Sequence, residues 1–249
     1  GDQSRGEQER ARGDQQAAVH EFLCRNLAGG DPLLEAADGV APLQAVTGLE
    51  VEGGGTEFTG RDCKVVWVDP NRNDLYFREY KVEILDGGTV VRTETVSVPN
   101  YSYTSEKNAE DYERQNATKG RWRAFDIRVR VIGYVQTSSG QQESPTTSIS
   151  VSNPAPALPT NLSVTAAFRA IEIDFDQPED LDYRNLKVWL GTSTGFTRNS
   201  STLKATQPGG PITIPGLISG KDYYLRIATF DDFGEGTVSS EYAVTTVRL

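Results

Sequence analysis

Few residue types in this 249-residue chain could do chemistry, and their spacing does not gather them. The single histidine, His20, has no Cys, Asp or Ser at a motif spacing, the partner that general-base work requires. It reads as a surface or interface histidine. Cys24 and Cys63, the only cysteines, fall in different predicted elements and make neither a disulfide framework nor a metal cluster. Asp174, Asp176, Glu179, Asp180 and Asp182 offer oxygens to calcium, which takes about six to eight. The EF-hand spacing is missing, and Asp174 and Asp176 alternate with Ile173 and Phe175, so these carboxylates read as solvent-facing. Arg12-Gly13-Asp14 matches the tripeptide that integrins read, but it lies in a polar head and not in a tight loop between strands. Asn100, Asn116, Asn161 and Asn199 satisfy the glycosylation sequon, informative only in a secreted eukaryotic protein. No base, nucleophile and oxyanion donor converge. No catalytic residue, cofactor or metal is expected.

Bulk properties narrow the partners. The formal charge is −10, from 35 acidic and 25 basic residues. It divides as −4 over residues 1–42 (8 acidic, 4 basic), −3 over 43–153 (16 and 13) and −3 over 154–249 (11 and 8). No part is basic enough for a phosphate-tracking groove, so nucleic acid is not an expected partner. No apolar run approaches the ~18 residues of a membrane span, and the first residues lack the apolar core of a signal peptide. With Gly1 in first place, two readings stay open: removal of an initiator Met, or a fragment of a longer chain.

The elements along the chain follow from hydrophobic period. Residues 1–16 carry no large apolar side chain and bury too little to offset ordering entropy. Ala17, Ala18, Phe22 and Leu23 begin a helical spacing that Gly29-Gly30 and Asp31-Pro32 stop. A helix over roughly 14–28 is too short to stand alone and should dock on something. From residue 43 the period becomes two. Leu49 and Val51; Cys63, Val65 and Trp67; Tyr80, Val82 and Ile84; Val90 to Val98; Phe125 to Val131; and Ile149 and Val151 predict successive strands. Residues 154–159, Pro-Ala-Pro-Ala-Leu-Pro, form an extended linker. The pattern then restarts at Leu162 and Val164, passes through Ile171, Ile173 and Phe175, then Leu186 to Leu190, Ile212 and Ile214, and Tyr223 to Ile227, and closes at Tyr242 and Val244. This is an internal repeat. It predicts an all-β chain: a polar segment 1–42, then two antiparallel β-sandwiches, 43–153 with a charged helical insertion near 104–120, and 154–249.

Particular residues extend the reading by resemblance. Leu217, six residues before Tyr223, resembles the tyrosine corner of fibronectin type III domains, and Asp232-Phe233-Gly234 resembles that family's turn after strand F. Trp67 stands in the place of the family's core tryptophan on strand B; Phe175 takes that place in the second unit. The first unit departs from the pattern, with Phe125 where the corner tyrosine would be and the insertion TSEKNAEDYERQNATKG before it. Four strings, NYSYTSEKNAEDYERQ, RWRAFDIRVRV, ISVSNPAPALPTNLSV and PEDLDYRNLKVWLGTSTGF, resemble the paired fibronectin domains of the tail-tip attachment (host-specificity, J-like) proteins of lambda-like phages. Asn153 to Pro156 matches the family's interdomain hinge, and Val188-Trp189 its strand C pair. The family's hub domains and receptor-binding regions are not in this sequence, leaving a segment of a longer tail protein or a small dedicated tip subunit.

What the resemblance implies is a non-enzymatic structural and interaction component of a tail tip, located in the virion. It implies a homotrimer, contacts to other tail-tip or hub proteins, and a host cell-surface receptor. Phe22, Tyr112, Trp122 and Trp189 are the candidate interface residues, Trp189 because alternation turns it away from the core with Lys187. The insertion is expected to contact a neighbouring subunit. The rival reading is a fibronectin type III accessory or adhesion module of a bacterial surface or secreted protein.

Overall fold

A computed structural model of the chain describes residues 42–74, 76–137 and 140–248. The expected N-terminal helix, with His20, Phe22, Cys24 and Arg12-Gly13-Asp14, lies outside the described residues. The chain divides into two compact units that interleave along the sequence. The described residues up to Gly55, with Val65–Tyr101 and Asp126–Ser150, make one; Thr56–Lys64, Ser102–Phe125 and Val151–Leu249 make the other.

The first half contributes β1 (Thr47–Val51), β2 (Cys63–Val68), β3 (Phe77–Asp86), β4 (Thr89–Val96), β5 (Asn100–Tyr103), the helix α1 (Ser105–Asn116), β6 (Ala124–Thr137), β7 (Gly140–Glu143) and β8 (Thr147–Ser152). They form a three-stranded sheet, β1-β2-β5, and a five-stranded one, β4-β3-β6-β7 with β8 also on β6. Alternation explains the faces: Cys63, Val65 and Trp67 point inward from β2, and Ile127, Val129 and Val131 from β6. Trp67 is buried edge-on against Tyr80, with ring centroids 5.1 Å apart. The Tyr80 hydroxyl donates to Asp69 Oδ2 at 2.8 Å, and burial raises its pKa. Cys63 is a buried free thiol, which desolvation pushes up to about 12.

The second half repeats the plan with β9 (Ser163–Ala167), β10 (Ala170–Asp174), β11 (Tyr183–Gly191), β12 (Leu203–Gln207), β13 (Ile212–Ile214), β14 (Asp222–Asp231), β15 (Gly234–Val238) and β16 (Tyr242–Thr245). Its sheets are β9-β10-β13 and β12-β11-β14-β15, with β16 also on β14. The strand order is therefore the same in both halves, element for element. It is the fibronectin type III-like order, three strands facing a larger sheet built on the third and sixth. Ile171, Ile173, Leu186, Val188, Ile212, Leu225 and Ile227 fill the core between these sheets. Where α1 stands in the first half, the second has only the turn from Pro215 to Lys221. There Tyr223 is buried and its hydroxyl oxygen accepts the Ile218 N–H at 3.1 Å, which is the geometry of a tyrosine corner.

Candidate functional site

The insertion folds as a capped helix. Thr104 caps α1, its side chain accepting from Lys107 N, and Ala117 ends it in the left-handed region at φ 53°. Its inner face is polar: Ser105, Asn108 and Asp111, three residues apart, are buried. Asn108 clasps the backbone of Trp122, donating Nδ2 to the Trp122 carbonyl at 2.9 Å and accepting Trp122 N–H on Oδ1 at 2.8 Å. The Asp111 carboxylate accepts from the Tyr103 hydroxyl at 2.9 Å and pairs with Arg114. Asp62 Oδ1 takes the Ser105 N–H at 2.7 Å. Hydrogen bonds hold the buried face of this helix.

Beside it lies a charged network built on buried carboxylates, all within the second unit. Arg123 makes a two-pronged bond to Asp231, Nη1 to Oδ2 at 2.7 Å and Nη2 to Oδ1 at 2.8 Å. The Asp231 side chain is 1 % exposed and also accepts the N–H groups of Phe233 and Gly234. Arg123 further donates to Asn153 Oδ1 at 2.9 Å and to the Pro154 carbonyl at 3.0 Å. Asn153 Nδ2 donates to Asp182 Oδ2 at 2.7 Å and to the Phe58 carbonyl at 3.0 Å. Asp232 pairs with Arg61, at 2.7 Å, and with Arg184. Phe58 packs edge-on against Phe233 at 5.6 Å.

Several candidates from the sequence are placed differently. Trp189 is not an exposed aromatic. It does lie on the outer face of β11, but at 7 % exposure it is covered by Phe230, at 6.3 Å, and by the Arg198 guanidinium, 4.9 Å from the ring centroid. Trp122 and Tyr112 pack on each other at 5.2 Å, with Trp122 buried. Phe22 lies outside the described residues. Trp67, Phe175, Leu217 and Tyr223 are all buried. Of the acidic run, Asp174, Asp176, Glu179 and Asp180 are exposed, but Asp182 is buried in the network, not solvated in a loop. No metal-holding group of His, Cys, Asp and Glu occurs among the described residues. In the segment expected to act as a hinge, Asn153 is buried, and the Pro156 carbonyl accepts from Thr237 N–H at 2.9 Å and Thr229 Oγ1 at 3.1 Å, all within the second unit.

Burial raises the Asp182 carboxyl above its ordinary 3.8; the Asn153 amide opposes the rise and the charge of Asp231 adds to it. A carboxyl with a raised folded-state pKa burdens the fold when ionised. That burden is full above the raised value and fades as pH falls through it toward 3.8. Asp182→Asn keeps an acceptor for Asn153 and removes the charge. The variant should therefore be more stable than the parent at neutral pH, with the gap closing on acidification. Urea midpoints of both proteins across that range check it; a gap independent of pH would exclude the titration of Asp182 as its cause.

The strand order and the corner define a class, a tandem of two fibronectin type III-like sandwiches. No family model matches the chain, and no curated protein matches it. Among solved structures it is similar to the FN1–FN3 domains of chicken CNTN1, at 16 % identity and TM-score 0.34, over 84 % of this chain and 69 % of that one. It is also similar to a two-domain fibronectin type III segment of chicken tenascin, at 15 % identity and TM-score 0.37, over 81 % and 99 %.

Proposed function

We propose that this chain is a non-enzymatic structural and interaction component of a tailed-phage tail tip, spacing and positioning the tip for host attachment. One observation carries the reading. The four strings that resemble the lambda-like tail-tip proteins contain Asn108, Asp111, Trp122, Arg123, Asn153 and Asp182, much of the polar network, and the exposed Arg184 that pairs with Asp232. The segments that carry the resemblance are thus also the ones that supply these contacts. On this reading the partners are hub or other tip proteins and a receptor on the host surface, and three copies surround the tail axis. The work is mechanical: stiff sandwiches hold surfaces at a set distance from the envelope.

Antibodies raised against the purified chain should decorate the tail tips of the phage that encodes it and reduce its adsorption. Decoration of bacterial surfaces in uninfected cultures, with bare virions, would favour the adhesion-module reading instead.

A further inference from the structure

Three of the large apolar side chains left in water lie together at one end of the second sandwich. Phe168 is 49 % exposed, Ile218 61 % and Val247 42 %. Backbone contacts gather them: Phe168 and Val247 are bridge partners, Val247 N–H donates to the Ala167 carbonyl at 3.1 Å, and Leu217 N–H donates to the Arg169 carbonyl at 2.9 Å. Each is held in place. Ile218 gives its N–H to Tyr223 Oη and its carbonyl accepts Thr246 Oγ1 at 2.6 Å; the Val247 carbonyl accepts Ser219 Oγ at 3.0 Å. Little ordering is left for a partner to impose, which favours binding. The rim is basic in an acidic protein. Arg169 and Lys221 flank the turn, Arg248 lies over Gly220, and the carboxylate of Asp222 accepts from Thr245 Oγ1. A grouped apolar surface with a rim of one sign marks an interaction site for the opposite sign.

We propose that this end receives the segment from Ala17 to Asp38 of a second copy of the chain. That stretch carries Glu21, Asp31, Glu35 and Asp38 against a single Arg25, with Phe22, Leu23, Leu27, Leu33 and Leu34 to cover the apolar residues. Its charge and its apolar content both match, and the proposal does not depend on the tail-tip reading. Such a contact is head-to-tail, so it closes into a ring or propagates.

Light scattering on the full chain at rising concentration tests it. The parent should grow beyond monomer, and less so at high salt. Ile218→Glu, and separately Val247→Glu, should weaken association by at least about tenfold, since each places a buried charge where an apolar contact stood. Both sites are exposed, so their unfolding midpoints should match the parent. A variant carrying Phe22→Ser and Leu23→Ser should also stay monomeric. Mixed with Ile218→Glu, it should give a dimer and nothing larger, because one intact end then meets one intact segment. A monomeric parent, a variant that assembles like the parent, or a mixture that stays monomeric would each overturn the proposal.

Discussion

Arg123→Ala should destabilise the protein by about 3–5 kcal/mol, the loss typical of breaking a buried pair from one side. The Asp231 carboxylate would remain, almost wholly buried, with two backbone N–H groups but no countercharge. Asn153 and Pro154 would lose their donor at the same time. Arg123→Lys should recover only part of the loss, because an ammonium cannot reproduce the two parallel bonds of the guanidinium fork. Replacing both partners, Arg123→Met with Asp231→Leu, should cost less than the two single changes summed. Urea unfolding of the four proteins measures this. If Arg123→Ala costs no more than an exposed ion pair, below about 1 kcal/mol, the network is not the anchor described.

Asn108→Ala should cost about 1–3 kcal/mol for each of the two Trp122 backbone groups it leaves unpaired. The side chain serves there as one rung of a ladder, donating and accepting on the same residue. Asn108→Asp keeps the acceptor but loses the donor and adds a charge, so it should not rescue. Tryptophan fluorescence should report the change, since Trp122 and Tyr112 are packed against each other. A stable Asn108→Ala protein with the emission of the parent would mean that water replaces both bonds and the clasp is dispensable.

The two cases also show what a sequence displays and what it conceals. Strands such as β6 and β14 are legible because each buries one face, and a half-buried strand writes period two into its side chains. The edge strands β7, β12 and β15 are not, because their polar and glycine residues alternate weakly. The helix in the insertion is evident from its composition, but its buried face is not. Asn108 and Asp111 are types that normally face water, and only Trp122 and Tyr103, brought in from elsewhere, explain their burial. Arg123 and Asp231 are 108 residues apart, a separation at which charge pairing leaves no local pattern. Alternation turns Trp189 away from the core of its sheet, but its cover, Arg198, arrives from a loop that alternation does not describe.

The parallel bridges have a mechanical meaning. Glu57 pairs with Ser152, and Phe168 with Val247, each joining an early segment of a sandwich to a late one running the same way. Hydrogen bonds flank both, Phe58 N–H to the Ser152 carbonyl and Ser152 N–H to Thr56 in one case, Val247 N–H to Ala167 in the other. Tension applied along the chain pulls such parallel partners lengthwise past each other, so the bonds are loaded together. An antiparallel hairpin pulled from its open end unzips one bond at a time. A chain fastened in this way resists stretching at its ends before its core is disturbed.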